Sequence, residues 1–248
     1  MIKILKSHQS PTMGRGGPFQ IRRMRPGKVY GVPAFDLAFG PLSVIDHATL
    51  RANNLVPMHE HLNDEILTYL ISGKVTHEDS IGVTENITRR RLMLMNAGSG
   101  FSHEERNSGE DLEGLQIFVR PREKDLPPGV QFYDRPVNYT NGTWQLVAGP
   151  ESSDAPLKFR NQVMVFDIHA DAGAELEAPV AKGMSPFVYV MNGTVQVGNT
   201  TLQKGDAFTF TELEMPIMRT LNQAIIVVFL SDLNAAASKS GTISGGGG

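Results

Sequence analysis

A strand–turn–strand unit occurs twice in this chain, and the repetition limits its fold more than any other feature. Thr68-Tyr69-Leu70-Ile71-Ser72-Gly73-Lys74-Val75 lines up with Val188-Tyr189-Val190-Met191-Asn192-Gly193-Thr194-Val195 at an offset of 120 residues. In each copy a β-branched and aromatic run stops at a polar residue and a glycine, and an extended pattern then resumes. The remaining apolar runs have the same character. Arg89–Met95 leads into Asn96-Ala97-Gly98-Ser99-Gly100, Leu115–Val119 stops before Pro121, and Val197–Phe210 reads as a hairpin, a Gly205-Asp206 turn and a further strand. Ala224–Leu230 is apolar throughout, as a strand covered on both faces must be. Helical periodicity is scarce, and its best candidate is Asp232–Ser238.

These short, closely spaced runs predict an all-β chain of two tandem antiparallel β-barrels of the jelly-roll type. The expected division is residues 1–135 for the first barrel and 136–234 for the second. Residues 235–248, ending in four glycines, are expected to be a flexible tail. A proline-rich crossover from Pro121 to about Pro156 is expected to join the barrels.

Composition narrows the chemistry. There are no cysteines, which excludes disulfides, zinc fingers, iron–sulfur clusters and thiol catalysis. Any bound metal must therefore rest on His, Asp, Glu or water. The formal charge is −3, from 23 Lys+Arg against 26 Asp+Glu, and gives no basic surface for direct nucleic-acid contact. No run approaches the roughly 18 apolar residues of a membrane span. The first residues are too quickly interrupted by Ser and Pro for a signal-peptide core, so a cytoplasmic protein without membrane contact is expected.

The chemistry concentrates in two short stretches. In Pro57-Met58-His59-Glu60-His61-Leu62-Asn63-Asp64-Glu65, His59 and His61 are two apart and share one face of a strand, and Glu65 keeps the same parity. Phe101-Ser102-His103-Glu104-Glu105 repeats the arrangement with His103 and Glu105. Two such strands can close a site of three imidazoles and one carboxylate for a divalent Fe, Mn, Ni, Cu or Zn ion, with coordination positions left open. Glu65 is read as an acceptor that orients a ligating histidine. His77 and Asp79 are read as structural, and Arg89-Arg90-Arg91 as an exposed strand. Met58, Met93, Met95 and Phe101 flank the site, where they fill a core or line an apolar pocket for a planar ligand. The second half has no counterpart: the positions 120 residues beyond His59, His61 and Glu65 are Pro179, Ala181 and Ser185. No histidine occurs in Thr211–Pro216, and His169 stands alone. One half is expected to bind metal and the other is not.

Residues 57–105 resemble the signature of the pirin family of bicupins. The resemblance rests on His59-Glu60-His61, on Thr68-Tyr69-Leu70-Ile71-Ser72-Gly73, on His77-Glu78-Asp79-Ser80, and on Ala97-Gly98-Ser99-Gly100-Phe101-Ser102-His103-Glu104-Glu105. It is specific across roughly residues 18–120 and weaker, with consistent spacing, beyond. It implies a bicupin fold and one mononuclear metal, Fe2+ first among the candidates, held by His59, His61, His103 and Glu105. It also implies two activities. Bacterial members resemble quercetin 2,3-dioxygenases, which open a flavonol with O2 and release carbon monoxide, while nuclear members act as iron-dependent transcriptional co-regulators. The chain departs from the family pattern at Glu60, where Pro is usual, and at Leu62-Asn63-Asp64, where Arg-Gly-Phe is common. The ligand set survives, and the pocket mouth becomes more acidic.

The expected function is a dioxygenase acting on a small aromatic substrate and O2, with Glu105 as general base toward the flavonol 3-hydroxyl. The competing expectations are a regulatory protein that uses the metal to shape a protein-partner surface, and an inactive cupin whose metal only staples the fold.

Overall fold

The computed structural model describes residues 2–31, 35–211 and 215–246. Glu212, Leu213 and Glu214, part of the histidine-free stretch noted above, lie outside the described residues. The chain runs through β1 (Lys3–Leu5), β2 (Thr12–Met13), β3 (Phe19–Met24), β4 (Leu42–Leu50), β5 (Leu55–His61) and β6 (Glu65–Ser72). It continues through β7 (Lys74–Asp79), β8 (Thr84–Thr88), β9 (Arg91–Asn96), β10 (Phe101–Arg106), β11 (Leu112–Val119) and β12 (Gly129–Asp134). The second half holds β13 (Gln145–Pro150), β14 (Leu157–Phe159), β15 (Val163–Ala170), β16 (Glu175–Leu176) and β17 (Ser185–Asn192). It closes with β18 (Thr194–Val197), β19 (Thr200–Gln203), β20 (Ala207–Thr209), β21 (Met218–Thr220) and β22 (Ala224–Ser231).

The repeat is structural. β6 and β17 occupy equivalent places 120 residues apart, each ending in a turn whose glycine, Gly73 or Gly193, has φ of 73° or 84°. Side chains are disfavoured in that left-handed conformation, which is why glycine recurs there.

Each half is a sandwich of a seven-stranded and a four-stranded sheet, of the jelly-roll class. The jelly-roll class is the one expected; its two sheets are open rather than closed into a barrel. The first half pairs the order β12-β9-β6-β11-β4-β3-β2 with β5-β10-β7-β8. The second pairs β1-β20-β17-β22-β15-β13-β14 with β16-β21-β18-β19. Pairing is antiparallel except between β13 and β14, which run parallel. The expected crossover contains two strands, β12 and β13. The first strand crosses over: β1 pairs with β20 of the second half.

The two seven-stranded sheets pack against each other. Leu67, Tyr69, Leu115 and Ile117 of one meet Val165, Phe187, Val227 and Phe229 of the other, all fully buried. The opposite faces of the same strands fill each sandwich, with Ile66, Leu70 and Phe118 in the first and Val188, Ile226 and Val228 in the second. Burial on both sides accounts for the unbroken apolar sequence of β22. Polar ties also cross between the halves. Tyr69 Oη donates to Asp167 Oδ2 at 2.6 Å, Arg135 Nη1 donates to the same oxygen at 2.7 Å, and Arg160 pairs with Glu65.

Two expected elements differ. Asp232–Ser238 forms a turn, with Ala235 N donating to Asp232 O, and no helix; its side chains have no continuous apolar face to bury. Residues 238–246 are not a loose tail. They lie against the first half, and Ser244 is fully buried. Glycine-rich composition predicts little apolar burial, but here main-chain hydrogen bonds hold the segment. Among the described residues no helix is long and apolar enough to cross a membrane.

Candidate metal centre

β10 lies between β5 and β7 in the four-stranded sheet. Register places His103 directly opposite His59 on one side and Asp79 on the other, and Phe101 opposite His61. Directly opposed residues share a face, so the three histidines and Asp79 all point into the first sandwich. The register then slips: Glu105 faces Val56, so Pro57 and Met58 together oppose the single Glu104, one residue in excess on β5. Pro57 has no N–H to lose at such a bulge.

His59, His61 and His103 each bring a ring nitrogen to within 4.8 Å of the others. Their ring centroids lie 4.4 to 5.3 Å apart. Among the described residues this is the sole group of three or more such side chains close enough to share an ion, and it lies in the first half. The equivalent interior of the second sandwich is filled by Val188, Val190, Phe208, Phe210 and Met218.

The hydrogen bonds around the rings decide which nitrogens are free. His59 Nδ1 lies 2.9 Å from Pro57 O, and His61 Nδ1 lies 3.1 Å from Asp64 Oδ2. Both acceptors require a proton on Nδ1, which leaves a lone pair on each Nε2. His103 is set by a longer chain. Asp79 Oδ2 accepts from His77 Nε2 at 2.8 Å, and His77 Nδ1 then accepts from His103 Nδ1 at 3.3 Å. His103 Nε2 is left buried with no partner at all. A buried orphan nitrogen is costly unless something else coordinates it. Burial pushes His103 down to about 2, and the neighbouring His59, His61 and His77 add to the effect. His59 is lowered as well, by burial and by His61, against the pull of the Pro57 carbonyl. Neutral imidazoles with outward Nδ1–H groups and inward lone pairs are the form a divalent ion requires. The residues fit a metal.

Glu105 is not among the converging ligand atoms. Its buried carboxylate instead accepts from Gln116 Nε2 of β11 at 3.0 and 3.3 Å. Burial raises its pKa to about 7, with His61 and Gln116 opposing. Glu65 does not orient a histidine: β5 ends at His61, and Glu65 opens β6 in the other sheet, where it binds Arg160 and Asn96. The orienting role falls to Asp64, to Asp79 and to His77. Their signals were present in the spacing, Asp64 three residues after His61 and His77-x-Asp79 alternating on one face. Arg89 and Arg90 sit in a bend, and the strand starts at Arg91. Met58 is 49% exposed, whereas Met93, Met95 and Phe101 belong to the core. His169 sits on β15 edge-on to Tyr139, apart from the cluster.

A jelly-roll pair with, among the described residues, one trihistidine cluster in its first half defines a bicupin with a candidate metal centre. Residues 34–119 match the Pirin family and residues 146–230 match the family described as quercetinase C-terminal cupin domain. The chain belongs to the pirin family. Quercetin 2,3-dioxygenase of Escherichia coli (strain K12) is 28% identical over 172 residues, covering 68% of this chain and 73% of that protein. Pirin of Homo sapiens is 31% identical over 157 residues, covering 60% of this chain and 54% of that protein. The crystal structure of the Escherichia coli bacterial pirin YhhW in complex with nickel(II) superposes with a TM-score of 0.78 at 22% identity. The match covers 93% of this chain and 99% of that one.

Proposed function

We propose that this chain is a metal-dependent dioxygenase of the pirin type, acting with O2 on a small aromatic substrate, a flavonol such as quercetin. The observation that carries the reading is the convergence of three imidazoles, each with its Nδ1 already engaged by a hydrogen bond. His59, His61 and His103 would hold one divalent first-row ion, Fe2+ first, with Mn2+, Ni2+, Cu2+ and Zn2+ also matching an imidazole set. That ion supplies a Lewis acid that lowers the pKa of a bound hydroxyl. Glu105 is assigned as the fourth ligand and as the base. Its carboxylate would turn from Gln116 toward the histidines and take the proton of the flavonol 3-hydroxyl, and a pKa near 7 suits that exchange at neutral pH. Support for the substrate class comes from the relatives named as quercetin 2,3-dioxygenases.

Oxygen uptake with quercetin, measured on protein loaded in turn with Fe2+, Mn2+, Ni2+ or Cu2+, tests the reading. Uptake is expected with at least one metal. It should vanish on chelation and in His61→Ala, and fall at least a hundredfold in Glu105→Gln. Stoichiometric metal binding with no uptake across flavonols would discard the activity and favour a metal-dependent binding protein.

A further inference from the structure

The acceptor that fixes His61 is itself held by a remote part of the chain. Asp64 is fully buried, and three donors besides His61 converge on it. Ile243 N donates to Oδ2 at 3.0 Å, Ser244 N to Oδ1 at 2.9 Å, and Ser244 Oγ to Oδ1 at 2.6 Å. All of these donors come from residues about 180 positions away. Just beside them, Thr242 and Leu62 exchange two hydrogen bonds: Thr242 N donates to Leu62 O at 2.9 Å, and Leu62 N donates to Thr242 Oγ1 at 2.8 Å.

The segment is anchored on its far side too. Arg120 Nε and Ser43 Oγ both donate to Ser244 O at 2.7 Å, and Arg25 Nη1 donates to Gly246 O at 2.8 Å. Ser43 and Arg120 belong to the seven-stranded sheet side, so the segment bridges from that sheet to the loop carrying Asp64. The fit admits no side chain at Gly241. A Cβ there would lie 2.1 Å from Ser244 Oγ and 2.4 Å from Asp64 Oδ1. The contact falls on Leu62-Asn63-Asp64, the stretch where the chain departs from the family pattern.

We propose that residues 241–246 form a strap that positions the metal ligand His61 through Asp64, so that strap docking and metal affinity are coupled. The inference rests on the three imidazoles being a metal centre. A carboxylate that must accept from His61 needs a fixed orientation, and the two amides and one hydroxyl of the strap supply it. With the strap absent, Asp64 is free to rotate or to be hydrated. His61 then loses its fixed Nδ1 partner and with it the defined direction of its Nε2 lone pair. Coupling of this kind is reciprocal, so metal binding must also hold the strap down.

The test compares Co2+ affinity, by competition with a chromophoric chelator, in the full chain, in a chain ending at Ser240, in Asp64→Asn and in the combination. Each single change is expected to weaken Co2+ binding about ten- to a hundredfold and to alter the cobalt absorption bands. The truncation should add less than about twofold in the Asp64→Asn background, because both act through one carboxylate. Ser244→Ala, the mildest change, should weaken binding several-fold with the circular dichroism of the apo protein unchanged, which guards against simple misfolding. Hydrogen exchange at the Ser244 amide should slow on Co2+ loading. A folded truncated protein with the full chain's affinity and spectrum, or losses that simply multiply in the combined variant, would overturn the proposal. A full chain that fails to bind Co2+ would instead overturn the metal-centre reading on which it rests.

Discussion

At the scale of single residues, the candidate centre depends on protons as much as on positions. His103 presents an unpaired Nε2 because Asp79 fixes the tautomer of His77 and His77 fixes that of His103. Asp79 is anchored in turn by the amides of Ile81 and Val83. His77→Phe keeps an aromatic ring in the core and removes the acceptor. It is expected to lower Co2+ affinity about ten- to a hundredfold while the fold survives, measured by calorimetric titration beside a thermal melt. An unchanged affinity would show that the relay does not hold His103. The three converging histidines were legible because parity within a strand is a local property. Glu65 was misread because parity does not carry across the bend at Asn63, where φ is 51° and the chain leaves one sheet for the other. Asp64 carries a local signal, three residues after His61, but its tie to Ser244 spans 180 positions and leaves none.

At the scale of elements, charge ties the paired strands β4 and β11 of the first half to the second. Glu113 on β11 accepts from His47 Nε2 of β4 at 2.6 Å and pairs with Lys204, in the turn after β19, at 2.5 Å. Burial alone would raise its pKa, but the hydrogen bonds from His47 and Lys204 overcome that and hold it down to about 2. The folded value is below the ordinary 4.5, so the stabilisation is fully present above about pH 4.5 and is lost as pH falls through about 2. Glu113→Gln is therefore expected to cost about 1–2 kcal/mol at pH 7, after allowance for partial exposure, and nothing near pH 2. Thermal unfolding of both proteins across that range checks it, and a difference independent of pH would contradict it. The turns that frame these strands were readable from Gly73, Gly193 and Gly205-Asp206. The bulge at Pro57-Met58 was not, since it exists only as a mismatch between two strands.

At the scale of the molecule, the halves form one body because their large sheets share a core. Phe187 and Phe229 of the second half lie fully buried in the same cluster as Leu67 and Leu115 of the first. Phe187→Ala opens a cavity at that junction and is expected to cost about 3–5 kcal/mol in urea unfolding, with one cooperative transition in the parent protein. A cost below about 1 kcal/mol would mean the halves barely depend on each other. The repeat, the β class and the one-sided distribution of histidines were determined by the sequence alone, because alternation and spacing within a strand are written in neighbouring residues. The packing of the two large sheets, the turn of Glu105 toward Gln116 and the strap over Asp64 were decided only by tertiary structure. The sheet packing and the strap depend on contacts between residues far apart in the chain, and the Glu105–Gln116 pair on how one sheet of the sandwich faces the other; none of these leaves a local periodicity to read.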